Sequence, residues 1–166
     1  VYTYTITDND VVGFSGPGGV GDASSTSFWL KADALALSNG AAVTTWTDAS
    51  GNGNDFTQGT AGNRPTYRTS GLGGMPSVEF DGSNDFLEDS DGTSYINGKA
   101  AFTLITVIQS DNNNTDRGFL DTENPEGGDD FLCARYDAGG AGGGGSQVMK
   151  FGINTTAGQT QYESAN

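Results

Sequence analysis

The sequence predicts an all-β fold, a β-sandwich or jelly roll. Three observations carry this. Strand-like runs are many and short, Gly, Asn and Asp punctuate them, and no stretch sustains a helical period. Glycine supplies 27 of the 166 residues, roughly twice its usual share of about 7%. Glycine costs backbone entropy inside a helix or strand, so this composition implies turns and tight loops rather than long elements.

Taken in order, residues 1–7 (VYTYTIT) alternate and are rich in β-branched and aromatic types, which predicts a strand. DND closes it, and residues 13–25 (GFSGPGGVGDASS) form a Gly/Pro/Ser linker. The expected organisation is therefore the terminal strand of a preceding β module at 1–12, a linker at 13–25, and the main domain at 26–166. Strands are expected in SFWLKA (27–32), AVTTW (42–46), PSVEF (76–80), DFLED (85–89), AFTLITVIQ (101–109), RGFLDT (117–122), DDFLCARYD (129–137) and SQVMKFGIN (146–154). ADALAL (32–37) has room for one helical turn before SNG ends it. AFTLITVIQ is apolar on both parities, the pattern of a central, doubly covered strand. AGGAGGGGS (138–146) reads as a flexible connection.

The charge balance, 21 acidic against 7 basic residues, gives −14. That argues against nucleic-acid phosphates and anionic membrane as partners, and suits an extracellular surface or one that collects divalent cations. The absence of histidine excludes a Ser-His-Asp triad, a Cys-His dyad and His-ligated zinc or iron. Cys133, the single cysteine, cannot form an intrachain disulfide and is expected as a small buried apolar residue. No run approaches the ~20 apolar residues of a membrane span, so direct membrane insertion is not expected. With neither a signal peptide nor an initiator Met, the chain reads as a piece of something longer.

The ordered set SFWLKADAL, VTTWTDASGNGNDFTQ, RPTY, GMPSVEFDGSNDFLE and AFTLITVIQ resembles the laminin-G-like, concanavalin A-like jelly-roll modules of bacterial secreted and surface proteins. The likeness covers roughly residues 27–109 well and the remainder loosely. Residues 1–10, ending ITDND, resemble the closing strand of a Calx-β-type repeat. These resemblances imply a jelly-roll sandwich within a large modular protein of the kind Bacteroidota export, by type IX secretion, to the cell surface. Family members usually continue past the position where this chain reads QYESAN, so the jelly roll is expected to lack its last strands.

Two clusters invite chemistry. In DASGNGND (48–55), Asp, Asn and Ser side chains on a Gly-bent loop resemble a set of oxygen ligands for calcium. Asp48, Asn52 and Asp55 are the expected ligands if a metal binds. The twelfth position counted from Asp48 is Gly59, not the bidentate Glu of an EF-hand, and an Asx-type turn is the competing reading. In VEFDGSNDFLEDSDG (78–92), Glu79 and Asp81 stand at i and i+2, one face of a strand. Some concanavalin A-like hydrolases carry an E-x-D-x-x-E strand, but its third acid would fall at Asn84, so no catalytic residue is assigned and no enzyme activity is expected. Here Asp81-Gly82 is expected to turn a hairpin, with Phe80 and Phe86 packed inward.

Aromatic faces offer stacking platforms for sugar rings. Trp29 and Trp46 are expected in the core, Tyr67 is a further candidate, and Tyr95, Tyr136 and Arg117 are expected to contact ligand. The pattern NNT (113–115) is read as a chance N-x-[ST] match. The function expected first is a non-catalytic recognition or adhesion module. It would bind a glycan or surface protein, with calcium as a possible aid, and contact neighbouring domains and secretion machinery. A structural spacer without its own ligand ranks second, and an accessory or catalytic domain of a polysaccharide-degrading enzyme third.

Overall fold

A computed structural model describes residues 16, 19, 21–22, 24–90, 95, 100–110, 117–122, 132–137, 148–155 and 158–163. The expected strand at 1–7, most of the linker, the NNT pattern and the 138–146 glycine tract lie outside these residues. Among the described residues the fold is all-β: the strands are accompanied by 3-10 turns and by no helix of seven residues or more. None of the described helices is long and apolar enough to cross a membrane. The chain forms two compact units, Val1–Asp89 and Ser90–Asn166, and the division falls inside the stretch 26–166.

In the first unit the ladders are very short. Strands β1 (Thr45–Trp46) and β2 (Phe56–Thr57) pair antiparallel, Trp46 opposite Phe56. Single bridges extend this ladder on both sides, Leu30 to Asp48 and Thr57 to Glu88. The result is a ribbon of four segments, two of which contribute only one bridged residue. A second ribbon forms around β3 (Thr66–Leu72) and β4 (Met75–Glu79). It is extended by the Ala42–Thr66 bridge, with the Val43 amide donating to Pro65 O and the Tyr67 amide to Ala41 O, each at 2.8 Å. Segment 41–49 thus serves both ribbons, which explains why AVTTW contributes only Thr45–Trp46 to a ladder of its own.

The β3–β4 hairpin closes at Gly73-Gly74, between the paired residues Leu72 and Met75. Both glycines have positive φ (59° and 83°), as a two-residue turn matched to the strand twist requires. The register shifts between Arg68 and Leu72. There Gly71 lies against Ser77, and a Cβ at this position would collide with the Ser77 side chain.

The core of the first unit is small. Val43 is fully buried and Tyr67 is 4% exposed, with Pro65 enclosed beside them. The Phe28 and Phe56 rings pack at 5.2 Å, tilted by 55°. Tyr67 is therefore a packing residue, which removes it from the aromatics offered to a ligand. Trp29 and Trp46 are half-buried, and the Trp46 Nε1–H is buried with no acceptor among the described residues. Buried polar side chains make up much of the interior: Asp48, Ser50 and Gln58 are each nearly inaccessible. Two expectations change here. Phe80 and Phe86 are exposed rather than packed inward, and Asp81-Gly82 turns the chain after β4 without closing a hairpin, since β4 pairs with β3.

The second unit holds an antiparallel meander, β5 (Arg117–Thr122), β6 (Leu132–Asp137), β7 (Val148–Thr155) and β8 (Gly158–Glu163), paired in that order. The register opposes Ala134 to Phe151 and Phe151 to Tyr162, while Arg135 opposes Lys150 and Lys150 opposes Glu163. Apolar and polar positions thus alternate onto opposite faces of one sheet. A bulge shifts β5 between Gly118 and Leu120. Cys133 lies on β6 opposite Asp121 and Gly152.

Residues 101–110 depart from expectation. AFTLITVIQ takes part in no ladder, and Ile105 and Val107 are 62% and 79% exposed. Its apolarity on both parities fits a covered strand, but no described strand pairs with it.

Candidate functional site

The loop after Trp46 is built from aspartate outward. Asp48 is 6% exposed. Its Oδ1 accepts the Trp29 and Ser50 amides, each at 2.8 Å. Its Oδ2 accepts the Ser50 hydroxyl and, at 3.2 Å, the Asn54 amide. Burial pushes the carboxyl pKa up, but the bonds from the Ser50 hydroxyl and the Ser50, Trp29 and Asn54 amides outweigh it and hold the group below the ordinary aspartate range. The Asp48 amide in turn donates to Asp55 Oδ1 at 2.8 Å. Gly51 and Gly53 take φ of +87° and +79°, which lets the chain double back within seven residues.

Two asparagines fasten this loop to the segment before β1. Asn52 Nδ2 donates to Thr26 O and Asn54 Nδ2 to Ser27 O, both at 2.6 Å. The Ala49 amide donates to Trp29 O at 2.8 Å. The three expected metal ligands, Asp48, Asn52 and Asp55, do lie within one loop, where each makes a hydrogen bond to backbone. The arrangement is that of an Asx-type turn. A cation coordinated by both Asp48 oxygens would have to displace amide and hydroxyl donors. Among the described residues no three or more His, Cys, Asp or Glu side chains group as a metal site.

The same construction recurs. Asp81 Oδ1 accepts the Ser83 and Asn84 amides at 2.8 and 3.1 Å, and the Asp81 amide donates to Asp85 Oδ2 at 3.0 Å. Asn84 Nδ2 reaches back to Gly62 O at 2.6 Å. Asp22 repeats the first part: its Oδ1 accepts the Ser24 and Ser25 amides and both hydroxyls. The Ser24 and Ser25 hydroxyls, the Ser25 amide and the Ser24 amide together hold the exposed Asp22 carboxyl below its ordinary range, against slight desolvation. Asp-x-Ser is thus the unit in all three turns, with Asn-Asp closing two of them. The sequence reading missed this repeat, although DAS, DAS and DGS were its visible signal.

Glu79 and Asp81 do not form a carboxylate pair on a strand. Glu79 ends β4 and pairs with Arg68 across the hairpin, whereas Asp81 lies beyond the strand in its turn. Gln58 is another residue the sequence reading passed over. Its Oε1 accepts the Thr60 amide at 2.8 Å and its Nε2 donates to Phe86 O at 3.3 Å. Arg64 Nε donates to Gln58 O at 2.9 Å.

Of the residues expected to contact ligand, Arg117 and Tyr136 stand directly opposite each other in the β5–β6 register. Directly opposed residues of an antiparallel pair share a face of the sheet. Tyr95 belongs to the same unit and is half-buried. Trp29 carries Lys31 Nζ over its ring at 4.8 Å, and Lys31 also pairs with Asp33 at 3.8 Å. No family model, curated protein or solved structure matches the chain.

Proposed function

We propose that this chain is a non-catalytic recognition module of the laminin-G-like jelly-roll type, from a secreted or surface-anchored bacterial protein, binding glycan or protein outside the cell. The observation that supports this reading is the Arg117–Tyr136 register pair. Arginine and tyrosine at opposed register positions are the residue types that sugar hydroxyls and ring faces call for. Neighbouring domains and secretion machinery are the partners this context implies.

A glycan array probed with the purified chain tests the reading. Binding is expected, with loss on Arg117→Ala and on Tyr136→Ala; an array without binding to the unaltered chain counts against it. Calcium assistance is tested in the same protein. Calcium at ~100 times its dissociation constant should add about 2.7 kcal/mol to stability, and EDTA should abolish both that gain and part of the binding.

The spacer reading draws on a different observation. The Asp48 and Asp81 carboxylates are engaged by the chain's own amides. A melting temperature unmoved by calcium, together with an empty glycan array, favours that reading.

A further inference from the structure

Two Asn-Gly pairs lie among the described residues, Asn39-Gly40 and Asn52-Gly53, and all four residues are exposed. An asparagine followed by glycine is open to attack on its carboxamide by the next backbone nitrogen, because glycine has no side chain to block the approach. Exposure being alike and both carboxamides hydrogen-bonded, what distinguishes the two pairs is how the attacking nitrogen is held.

At the first pair both reactants are held by the fold. The Gly40 amide donates to Tyr67 O at 2.8 Å, and Tyr67 belongs to the buried core. Asn39 Oδ1 accepts the Thr69 amide at 3.1 Å and the Thr69 hydroxyl at 3.5 Å. To react, Gly40 must lose a proton that is already in a hydrogen bond, and the carboxamide must leave strand β3. At the second pair the Asn52 carboxamide is also held, its Nδ2 donating to Thr26 O at 2.6 Å, but the Gly53 amide has no acceptor among the described residues.

We propose that Asn52-Gly53 is a site of spontaneous self-modification through a succinimide, and that the fold protects Asn39-Gly40 from the same reaction. The Gly53 nitrogen gives its proton to solvent base and attacks Asn52 Cγ. The new N–Cγ bond forms as the Cγ–Nδ2 bond breaks, and ammonia leaves carrying the returned proton. Water then opens the five-membered ring at either carbonyl, giving aspartate or isoaspartate at position 52. No oxidant, reductant or enzyme is required.

The product alters the loop in two ways. Loss of Nδ2 removes the donor to Thr26 O, one of the two asparagine ties to the segment before β1. A new carboxylate also enters a loop that already holds Asp48 and Asp55, and the isoaspartate form adds a methylene to the backbone between them.

The test uses the intact, unaltered chain, incubated at mildly alkaline pH with and without urea. Chymotryptic cleavage after Trp46 separates the two Asn-Gly pairs, and chromatography with mass spectrometry resolves asparagine, aspartate and isoaspartate forms of each peptide. In the folded protein Asn52 is expected to convert several-fold faster than Asn39, and in urea the two rates should converge. Equal rates in the folded protein overturn the proposal, as does a difference that persists in urea or an Asn52 that does not convert.

Discussion

The Asp48 amide donates to the Asp55 carboxylate at 2.8 Å, while the Asn54 amide beside Asp55 donates back to the Asp48 carboxylate at 3.2 Å. The two aspartates thereby close a ring of hydrogen bonds at the base of the loop. Asp81 and Asp85 close a smaller one, the Asp81 amide reaching Asp85 Oδ2 at 3.0 Å and the Asp85 amide reaching Asp81 Oδ1 at 3.3 Å. Each ring satisfies amides that no ladder partner could reach.

Truncating Asp48 strips acceptors from buried and half-buried amides, so Asp48→Ala is expected to lower the stability of the first unit by about 2–3 kcal/mol. Both tryptophans, Trp29 and Trp46, lie in that unit. Urea unfolding followed by tryptophan fluorescence therefore reads it selectively. A loss well under 1 kcal/mol would show that water replaces these bonds without penalty.

Asp81 makes a similar ring at an exposed position, where solvent competes for every donor. Asp81→Ala should cost only about 1 kcal/mol in the same fluorescence assay. If the two substitutions cost the same, burial does not set the strength of these turns.

Acid should weaken the first unit through Asp48. Its carboxyl is held below the ordinary range in the folded chain and titrates at about 3.9 when unfolded. Its contribution is thus complete above the unfolded value. It declines as pH falls from there through the folded value, because the unfolded chain takes up the proton first. Chemical denaturation at a series of pH values should show this decline in the native protein and a shallower one in Asp48→Asn. Parallel acid limbs in the two proteins would remove Asp48 as the cause.

Gly71→Ala should destabilise the β3–β4 hairpin by about 1–3 kcal/mol. The added methyl meets the Ser77 side chain, with Arg68 Cβ only 3.0 Å away. Pairing it with Ser77→Gly removes the main clash and should recover part of the loss, which a double-mutant cycle measures. Additive losses would mean the strain lies elsewhere.

The Arg68–Glu79 pair spans the same hairpin, but both side chains are well exposed. Glu79→Gln is expected to change stability by less than about 1 kcal/mol. Thermal melts at low and high salt should show that small difference shrinking as salt rises.

Strands β5, β6 and β7 were legible in the sequence because short runs carrying apolar and aromatic residues stand there between glycine-rich and polar stretches. RGFLDT marks β5 with its bounds unchanged. β8, in GQTQYE, escaped because two glutamines and a glycine carry little strand propensity; its place is set by the β7 ladder, from Lys150–Glu163 to Thr155–Gly158. β3 was hidden in the same way by Ser70 and Gly71, a glycine whose close approach to Ser77 leaves no room for a Cβ. AFTLITVIQ shows the opposite failure. Periodicity reports which residues favour burial, and it says nothing of which partner supplies the cover. The loop at 48–55 was readable as turn chemistry. Its long-range ties from Asn52 and Asn54 were not, since their acceptors are backbone carbonyls 26 and 27 residues away.

Protein engineers usually place tags and insertions in loops and leave strands untouched. In the first unit that rule fails at one loop. The segment between β1 and β2 carries more mutual fastening than the two-residue strands it joins, so a peptide spliced between Asp48 and Asp55 would cut the knot that holds the strand ends together. The tip at Gly73-Gly74 is the better port: substituents there meet open space, and only the local turn would need rebuilding around the graft.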